Sequence, residues 1–76
     1  MDTIEVRLPI KLGQFLKLAN IAETGAHARD IIDAGIVYVN DEMEDRRGRT
    51  LTHGDIVTIK TDIETIQLRV CGETLS

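Results

Sequence analysis

The chain has 76 residues, of which 42% are hydrophobic and 29% charged, and its formal net charge is −4. This composition is typical of one small folded domain over residues 1–76, and it excludes a disordered tail and a membrane protein, since no apolar run could span a bilayer. The first residues lack the profile of a signal peptide, and the single cysteine, Cys71, cannot form an internal disulfide. We therefore expect a cytoplasmic protein.

The first elements predicted along the chain are a strand and a helix. Residues 3–8 alternate apolar and polar side chains until Pro9, which is typical of a half-buried strand. The apolar spacing then changes to that of a helix stripe, at Leu12, Phe15, Leu16 and Ala19. The sequence therefore predicts helix one from residue 12.

A second helix is predicted shortly afterwards. Thr24 is a good N-cap, and Ala28, Ile31 and Ile32 have helical spacing until Gly35, which suits the left-handed position at a helix end. The connection between the helices is so short that they must be neighbours on a shared core.

The second half of the chain predicts strands and tight turns. Residues 36–39 form a β-branched and aromatic run, followed by Asn40 and Asp41, which tolerate the positive φ of a tight turn. This pattern predicts a hairpin with a return arm around Met43.

Two later segments complete the predicted sheet. Gly54 and Asp55 indicate a turn, after which residues 56–59 and 66–70 have the composition and alternation of strands. The predicted order is therefore one strand, two helices and several strands.

The inventory of reactive side chains argues against an enzyme and against a metal or cofactor site. His27 and His53 lie far apart with a single cysteine, and the only serine is Ser76. Neither a phosphate-binding loop nor a nucleophile beside a base is present. Acid pairs such as Asp30 with Asp33 are expected to be solvated.

Cationic and amide side chains favour phosphate binding on the two helices. Lys11, Gln14 and Lys17 lie three residues apart, which aligns them on one side of helix one. Arg29 is expected to project outward from helix two. At the start of helix two, the unpaired backbone N–H groups after Thr24 form a second anion site, where Gly25 leaves room for a phosphate.

The densest basic feature is the arginine loop, residues 46–49, in which Arg46, Arg47 and Arg49 surround Gly48. Guanidinium groups can fork onto phosphate oxygens and stack on bases. The opposing interpretation is that nearby acids neutralise the three arginines. This holds unless the alternation of side chains along the hairpin places the acids and the arginines on opposite faces. The acids concerned are Asp41, Glu42, Glu44 and Asp45.

Other features also have structural interpretations. Lys11 and Lys17 also fit the solvent-exposed side of an amphipathic helix. Arg29 has the i, i+4 spacing that allows an ion pair with Asp33. His27 is expected to be solvated or near the cap. The two aromatic residues, Phe15 and Tyr38, fall at core-like positions. A stacking platform is therefore not expected, and RNA would be read through its shape and phosphates.

Four segments, taken in order, resemble a known domain. They are KLGQFLK at residues 11–17, TGAHAR at 24–29, GIVYVND at 35–41 and RRGR at 46–49, followed by Gly54 and Asp55. Together they resemble the S-four RNA-binding domain, also called the alpha-L motif, over residues 11 to about 59. The LGQFLKLA and RRGR stretches look like its small stand-alone bacterial members, which are cytosolic.

The resemblance implies an α+β fold with two short helices packed on a small curved, mainly antiparallel sheet, extended here by N- and C-terminal strands. It also implies an RNA surface along the helices and the arginine loop. Many members place an arginine where this chain has Gly25, and a base where it has Asp30. This difference moves more of the expected binding to the arginine loop.

We therefore expect a non-enzymatic protein, a monomer, that contacts the phosphates of structured RNA. Ribosomal RNA is the first candidate and transfer RNA the second, with association with the ribosome as a further expectation. The expected RNA-binding residues are Lys11, Gln14, Lys17, Thr24, Gly25, Arg29, Arg46, Arg47 and Arg49. Two alternatives stay open: an adaptor that presents its acidic excess to a basic protein of the translation machinery, and a domain whose RNA site has decayed.

Overall fold

A computed structural model describes residues 1–72, in which two helices pack on a mixed, mostly antiparallel sheet. The helices are α1 (Leu12–Leu18) and α2 (Gly25–Asp33). The strands are β1 (Asp2–Glu5), β2 (Ile10–Lys11), β3 (Val37–Val39), β4 (Glu42–Met43), β5 (Thr50–Leu51), β6 (Ile56–Lys60) and β7 (Thr65–Cys71). The α+β class predicted from the sequence is confirmed. Neither helix is long and apolar enough to cross a membrane in the part of the chain described.

The main sheet has five strands in the order β1-β7-β6-β3-β4. Strand β1 runs parallel to β7, and the other neighbouring pairs are antiparallel. The two short strands β2 and β5 form a separate antiparallel pair, with Ile10 opposite Leu51 and Lys11 opposite Thr50. This small pair connects the start of α1 to the segment that follows the arginine loop.

The core lies between the helices and one face of the main sheet. Residues of α1 and α2 contribute Leu12, Phe15, Leu16, Ala28 and Ile32, all almost fully buried. The sheet contributes alternate residues of its central strands, which are Val37, Val39, Val57, Ile59, Leu68 and Val70. The apolar stripes predicted for both helices therefore do face the core, with Ala19 and Ile31 only partly buried at its margin.

Local sequence signals account for the ends of α2 and for the hairpin. Thr24 Oγ1 accepts a hydrogen bond from the backbone N–H of His27 (3.0 Å), and Gly35 follows the helix with φ +75. Asn40 and Asp41 have φ +53 and +70, which closes the two-residue turn between β3 and β4. These three predictions are confirmed.

The structure corrects two details. Strand β1 ends at Glu5, earlier than the strand predicted up to Leu8, because its ladder to β7 stops where Glu5 pairs with Cys71. Tyr38 is half-buried on the sheet face away from the helices, not in the core, with Lys60 Nζ 4.4 Å from its ring centroid. Its neighbours Val37 and Val39 take the inward positions because side chains alternate along a strand.

Candidate nucleic-acid interface

The arginine loop is held against the start of α1 by backbone hydrogen bonds. The N–H of Leu12 donates to the Arg49 carbonyl (2.8 Å), and the N–H of Gly13 donates to the Arg47 carbonyl (3.0 Å). Both donors belong to the first turn of α1, where backbone N–H groups have no partner within the helix. The loop therefore supplies those partners, and Arg47 is placed beside α1.

This docking creates a cleft of about 260 Å³ between the two helices and the arginine loop. We call it the helix cleft, and its lining residues are Lys11, Gly13, Gln14, Lys17, Gly25, Arg47 and Gly48. Three of the seven are cations and none is an acid, although the whole chain carries a net charge of −4. Charge is therefore segregated, and the helix cleft is a local basic site on an acidic protein.

Lys11 and Gln14 are oriented by the helix start. Lys11 is the N-cap of α1, and its backbone N–H donates to Gln14 Oε1 (3.1 Å). This bond leaves the Gln14 amide NH₂ without a protein acceptor in residues 1–72. Gln14 can therefore donate into the cleft while its oxygen is engaged at the cap.

The start of α2 is ordered by a second set of local bonds. The Thr24 hydroxyl caps the helix, and the N–H of Glu23 donates to His27 Nδ1 (3.1 Å). The expectation that His27 belongs to the cap region is confirmed. Thr24 itself does not line the helix cleft, but the next residue, Gly25, does.

Glu44 binds two of the three arginines, and its side chain is only 5% exposed. Its carboxylate accepts hydrogen bonds from Arg46 Nε (3.2 Å) and Arg49 Nη1 (3.1 Å). The backbone N–H of Arg46 also donates to it, at 3.2 Å. Glu44 lies on the inward side of the hairpin, and from there its carboxylate holds the side chains of Arg46 and Arg49.

The surroundings of Glu44 favour its charged form. Burial raises the pKa of this carboxyl, but hydrogen bonds from Arg46 and Arg49 outweigh burial and lower the pKa from 4.5 to about 2. The same contact raises the pKa of the Arg46 guanidinium. Glu44 is therefore an anion at neutral pH, and it offsets one of the two positive charges that it contacts.

The three arginines thus differ in their surroundings. Arg46 and Arg49 share Glu44 and line a second cleft of about 480 Å³ with Gly48 and Thr50. Arg47 is exposed, forms no ion pair among the residues described and faces the helix cleft. Of the four nearby acids, Glu44 forms ion pairs with the loop, and Asp45 acts on Arg46 through its charge alone. The interpretation that acids neutralise the loop therefore holds in part, for Arg46 and Arg49, and does not extend to Arg47 within residues 1–72.

The nine residues predicted from the sequence are thus distributed over three places. The helix cleft collects Lys11, Gln14, Lys17, Gly25 and Arg47. The second cleft takes Arg46 and Arg49. Thr24 and Arg29 lie outside both clefts, and Arg29 pairs with Asp33 at 3.7 Å. Both partners are more than 60% exposed, so the pair is a surface bridge.

Sequence reasoning named Glu44 only as one of four acids that could neutralise the arginines, and it assigned no separate role to Gly48. The signal available for Glu44 was its alternation with the outward residue Met43, which directs a carboxylate inward next to three arginines. Gly48 gave no separate signal, because a glycine between arginines is typical of an ordinary loop.

A small α+β domain with a basic, acid-free cleft between two helices and a loop is the kind of protein that binds polyanions. The family model described as the S4 domain matches residues 3–69. A relative, the probable ribosome maturation protein RlbA of Bacillus subtilis (strain 168), is 49% identical over 51 residues, covering 67% of this chain and 72% of the relative. The chain belongs to the S4 domain family, and the resemblance inferred from its motifs is confirmed.

Proposed function

We propose that this protein binds the phosphates of structured RNA through the helix cleft, and that its RNA is ribosomal. The observation that carries the proposal is the composition of the cleft: three cations, a free amide donor and three glycines, with no acid among the lining residues. Phosphate recognition needs positive charge, N–H donors and close access to the backbone, and this cleft offers all three. No base-stacking surface is required.

Membership of the S4 domain family supports RNA as the polyanion. The name of the Bacillus subtilis relative, a probable ribosome maturation protein, supports ribosomal RNA and a role in the maturation of ribosomes. The protein would act without catalysis, as a clamp on an RNA fold. Arg47, Lys11 and Lys17 would supply the attraction, and Gln14 with the N–H groups near Gly25 would supply neutral donors.

The arginine loop would contribute in two ways. Arg47 is free to reach a phosphate in the helix cleft, whereas Arg46 and Arg49 are held at fixed positions by Glu44. Guanidinium groups held in place lose less conformational freedom on binding than mobile ones. Within the arginine loop, we therefore assign most of the electrostatic attraction to Arg47 and a positioning contribution to the other two arginines.

Charge reversal tests this assignment with a matched control. Arg47→Glu should weaken binding to labelled folded fragments of ribosomal RNA by at least about tenfold, because it places an acid among the cations of the cleft. Arg29→Glu makes the same change in charge on an exposed arginine outside the cleft and should cost much less. Equal losses for both variants would mean that global charge, not the helix cleft, drives binding.

A second function draws support from the net charge of −4 and from Asp41 and Glu42, which are exposed at the hairpin. This face would bind a basic protein of the translation machinery. Reversing Asp41 and Glu42 to lysine should then abolish sedimentation with ribosomal particles while RNA binding persists. The RNA proposal predicts the opposite, with sedimentation lost in Arg47→Glu and kept in the hairpin variant.

A further inference from the structure

Gly48 lies at the centre of the arginine loop, where neither backbone conformation nor packing requires a glycine. The N–H of Arg49 donates to the Arg46 carbonyl (3.2 Å), so residues 46–49 form a β-turn with Gly48 at its third position. A type II turn would give that position a positive φ, but only Gly35 and Gly54 have a positive φ among the glycines described. The turn would therefore accept most other residues.

Packing gives no reason for a glycine either. A Cβ atom built on Gly48 meets no heavy atom within 4 Å, so a side chain would project into open space. Gly72 illustrates the contrast, since a Cβ there would collide with the Val6 carbonyl oxygen. An unforced glycine in a loop lowers stability, because it adds conformational freedom to the unfolded chain.

Gly48 is also the residue that the two clefts share. It lines the helix cleft with Arg47 and the second cleft with Arg46 and Arg49. Its own N–H donates to no carbonyl or side chain within residues 1–72. Gly48 therefore forms an exposed ridge between the two clefts. Its N–H is a free donor, and the three arginines of the loop flank it in sequence.

The loop that carries Gly48 is fixed on both sides. The carbonyls of Arg47 and Arg49 accept from the first turn of α1, and Glu44 holds the side chains of Arg46 and Arg49. These contacts hold Gly48 from both sides of the loop, and the space above it is open.

We propose that Gly48 is the point of closest approach of the RNA backbone, which crosses the arginine loop from the helix cleft to the second cleft. The absent side chain lets a phosphate reach the Gly48 N–H while Arg47 contacts one neighbouring phosphate and Arg46 with Arg49 contacts another. This inference rests on the proposed function, and it adds a contact that depends on the lack of a side chain.

The decisive variant is Gly48→Lys, because electrostatics and close approach predict opposite results. If attraction alone matters, an extra positive charge among the arginines should tighten binding. If the backbone must approach Gly48, the lysine side chain should weaken binding to labelled folded ribosomal RNA fragments by about tenfold or more despite its charge. Gly48→Ala should weaken it by a smaller factor.

Ala34→Lys is the matched control for charge. Ala34 is an exposed residue at the C-terminal end of α2, outside both clefts, so a lysine there adds the same charge without blocking the ridge. We expect unchanged or slightly tighter RNA binding. Thermal unfolding followed by circular dichroism should give melting temperatures for Gly48→Ala and Gly48→Lys no lower than that of the wild type.

The outcomes separate this inference from the function on which it rests. Wild-type binding that Arg47→Glu removes, together with weakened binding by both Gly48 variants, supports the two claims. Wild-type binding with Gly48→Lys and Gly48→Ala equal to or tighter than wild type overturns the inference and leaves the proposed function in place. If the wild type binds no RNA at low salt, both are overturned.

Discussion

Replacing Glu44 by glutamine should destabilise the protein at neutral pH and barely affect it in strong acid. The substitution keeps the size of the side chain and one acceptor oxygen, but it removes the charge that Arg46 and Arg49 contact at 3.2 and 3.1 Å. Because Glu44 is only 5% exposed, water cannot replace those contacts on the buried side.

The magnitude follows from the pKa of Glu44. A fall in pKa from 4.5 to about 2 corresponds to about 3 kcal/mol of extra stability for the charged form. Arg46 is 75% exposed, so solvent screens its share of the contact. We therefore expect Glu44→Gln to lower the free energy of unfolding at pH 7 by about 1–3 kcal/mol. Each kcal/mol lowers the melting temperature of a domain this small by roughly 4–8 °C.

The pH dependence has a definite sign. A carboxyl whose pKa is depressed in the folded state contributes its full stabilisation above its unfolded pKa, near 4.5, and loses it as the pH falls through about 2. The difference in unfolding free energy between wild type and Glu44→Gln should thus be widest at pH 7 and close towards pH 2.

Urea denaturation followed by circular dichroism at pH 7, 5, 4 and 3 measures this difference. Glu42→Gln is the matched control, since Glu42 lies two residues earlier on the hairpin and is exposed. It should change stability by less than about 0.5 kcal/mol. A Glu44→Gln protein as stable as wild type at pH 7, or a difference between the two that does not change with pH, would refute the assignment of Glu44 as the anchor of the arginine loop.

Three further substitutions test the fold around the site by urea denaturation. Thr24→Ala removes the cap of α2 and should cost about 1 kcal/mol; no loss would mean that the cap bond is not formed. Asn40→Ala removes the bond to Asp55 (3.0 Å) and places alanine at φ +53, so about 2 kcal/mol is expected, and a neutral result would contradict the turn. Phe15→Ala should lower the free energy of unfolding by about 3–5 kcal/mol, because Phe15 is fully buried. Its control, Leu18→Ala at a 54% exposed position, should lower it far less, and similar losses for the two variants would contradict the placement of Phe15 in the core.

Features that depend on near neighbours in the chain could be predicted from the sequence. The cap at Thr24, the left-handed Gly35 and the Asn40 and Asp41 turn all follow from the preferences of single residues for particular backbone angles. The inward stripe of α1 follows from helical spacing. The parallel pairing of β1 with β7 was not predicted, because it joins distant segments for which alternation gives no partner.

The candidate site shows the same division. The alignment of Lys11, Gln14 and Lys17 is local, and the structure does bring them to one cleft. The different surroundings of Arg47 and its two neighbours could not be read from the sequence, since they depend on where the hairpin directs Glu44. The pair of Arg29 with Asp33, by contrast, was available from their i, i+4 spacing.

The central claim is that the helix cleft and the arginine loop bind RNA phosphates, and the salt dependence of wild-type binding tests it most directly. The helix cleft contains three cations, Lys11, Lys17 and Arg47. Arg46 and Arg49 together with the Glu44 carboxylate carry about one net positive charge. Neutralising about four phosphates predicts that the logarithm of the affinity for folded ribosomal RNA falls with the logarithm of salt concentration at a slope of about −3 to −4. A slope near zero would contradict the claim.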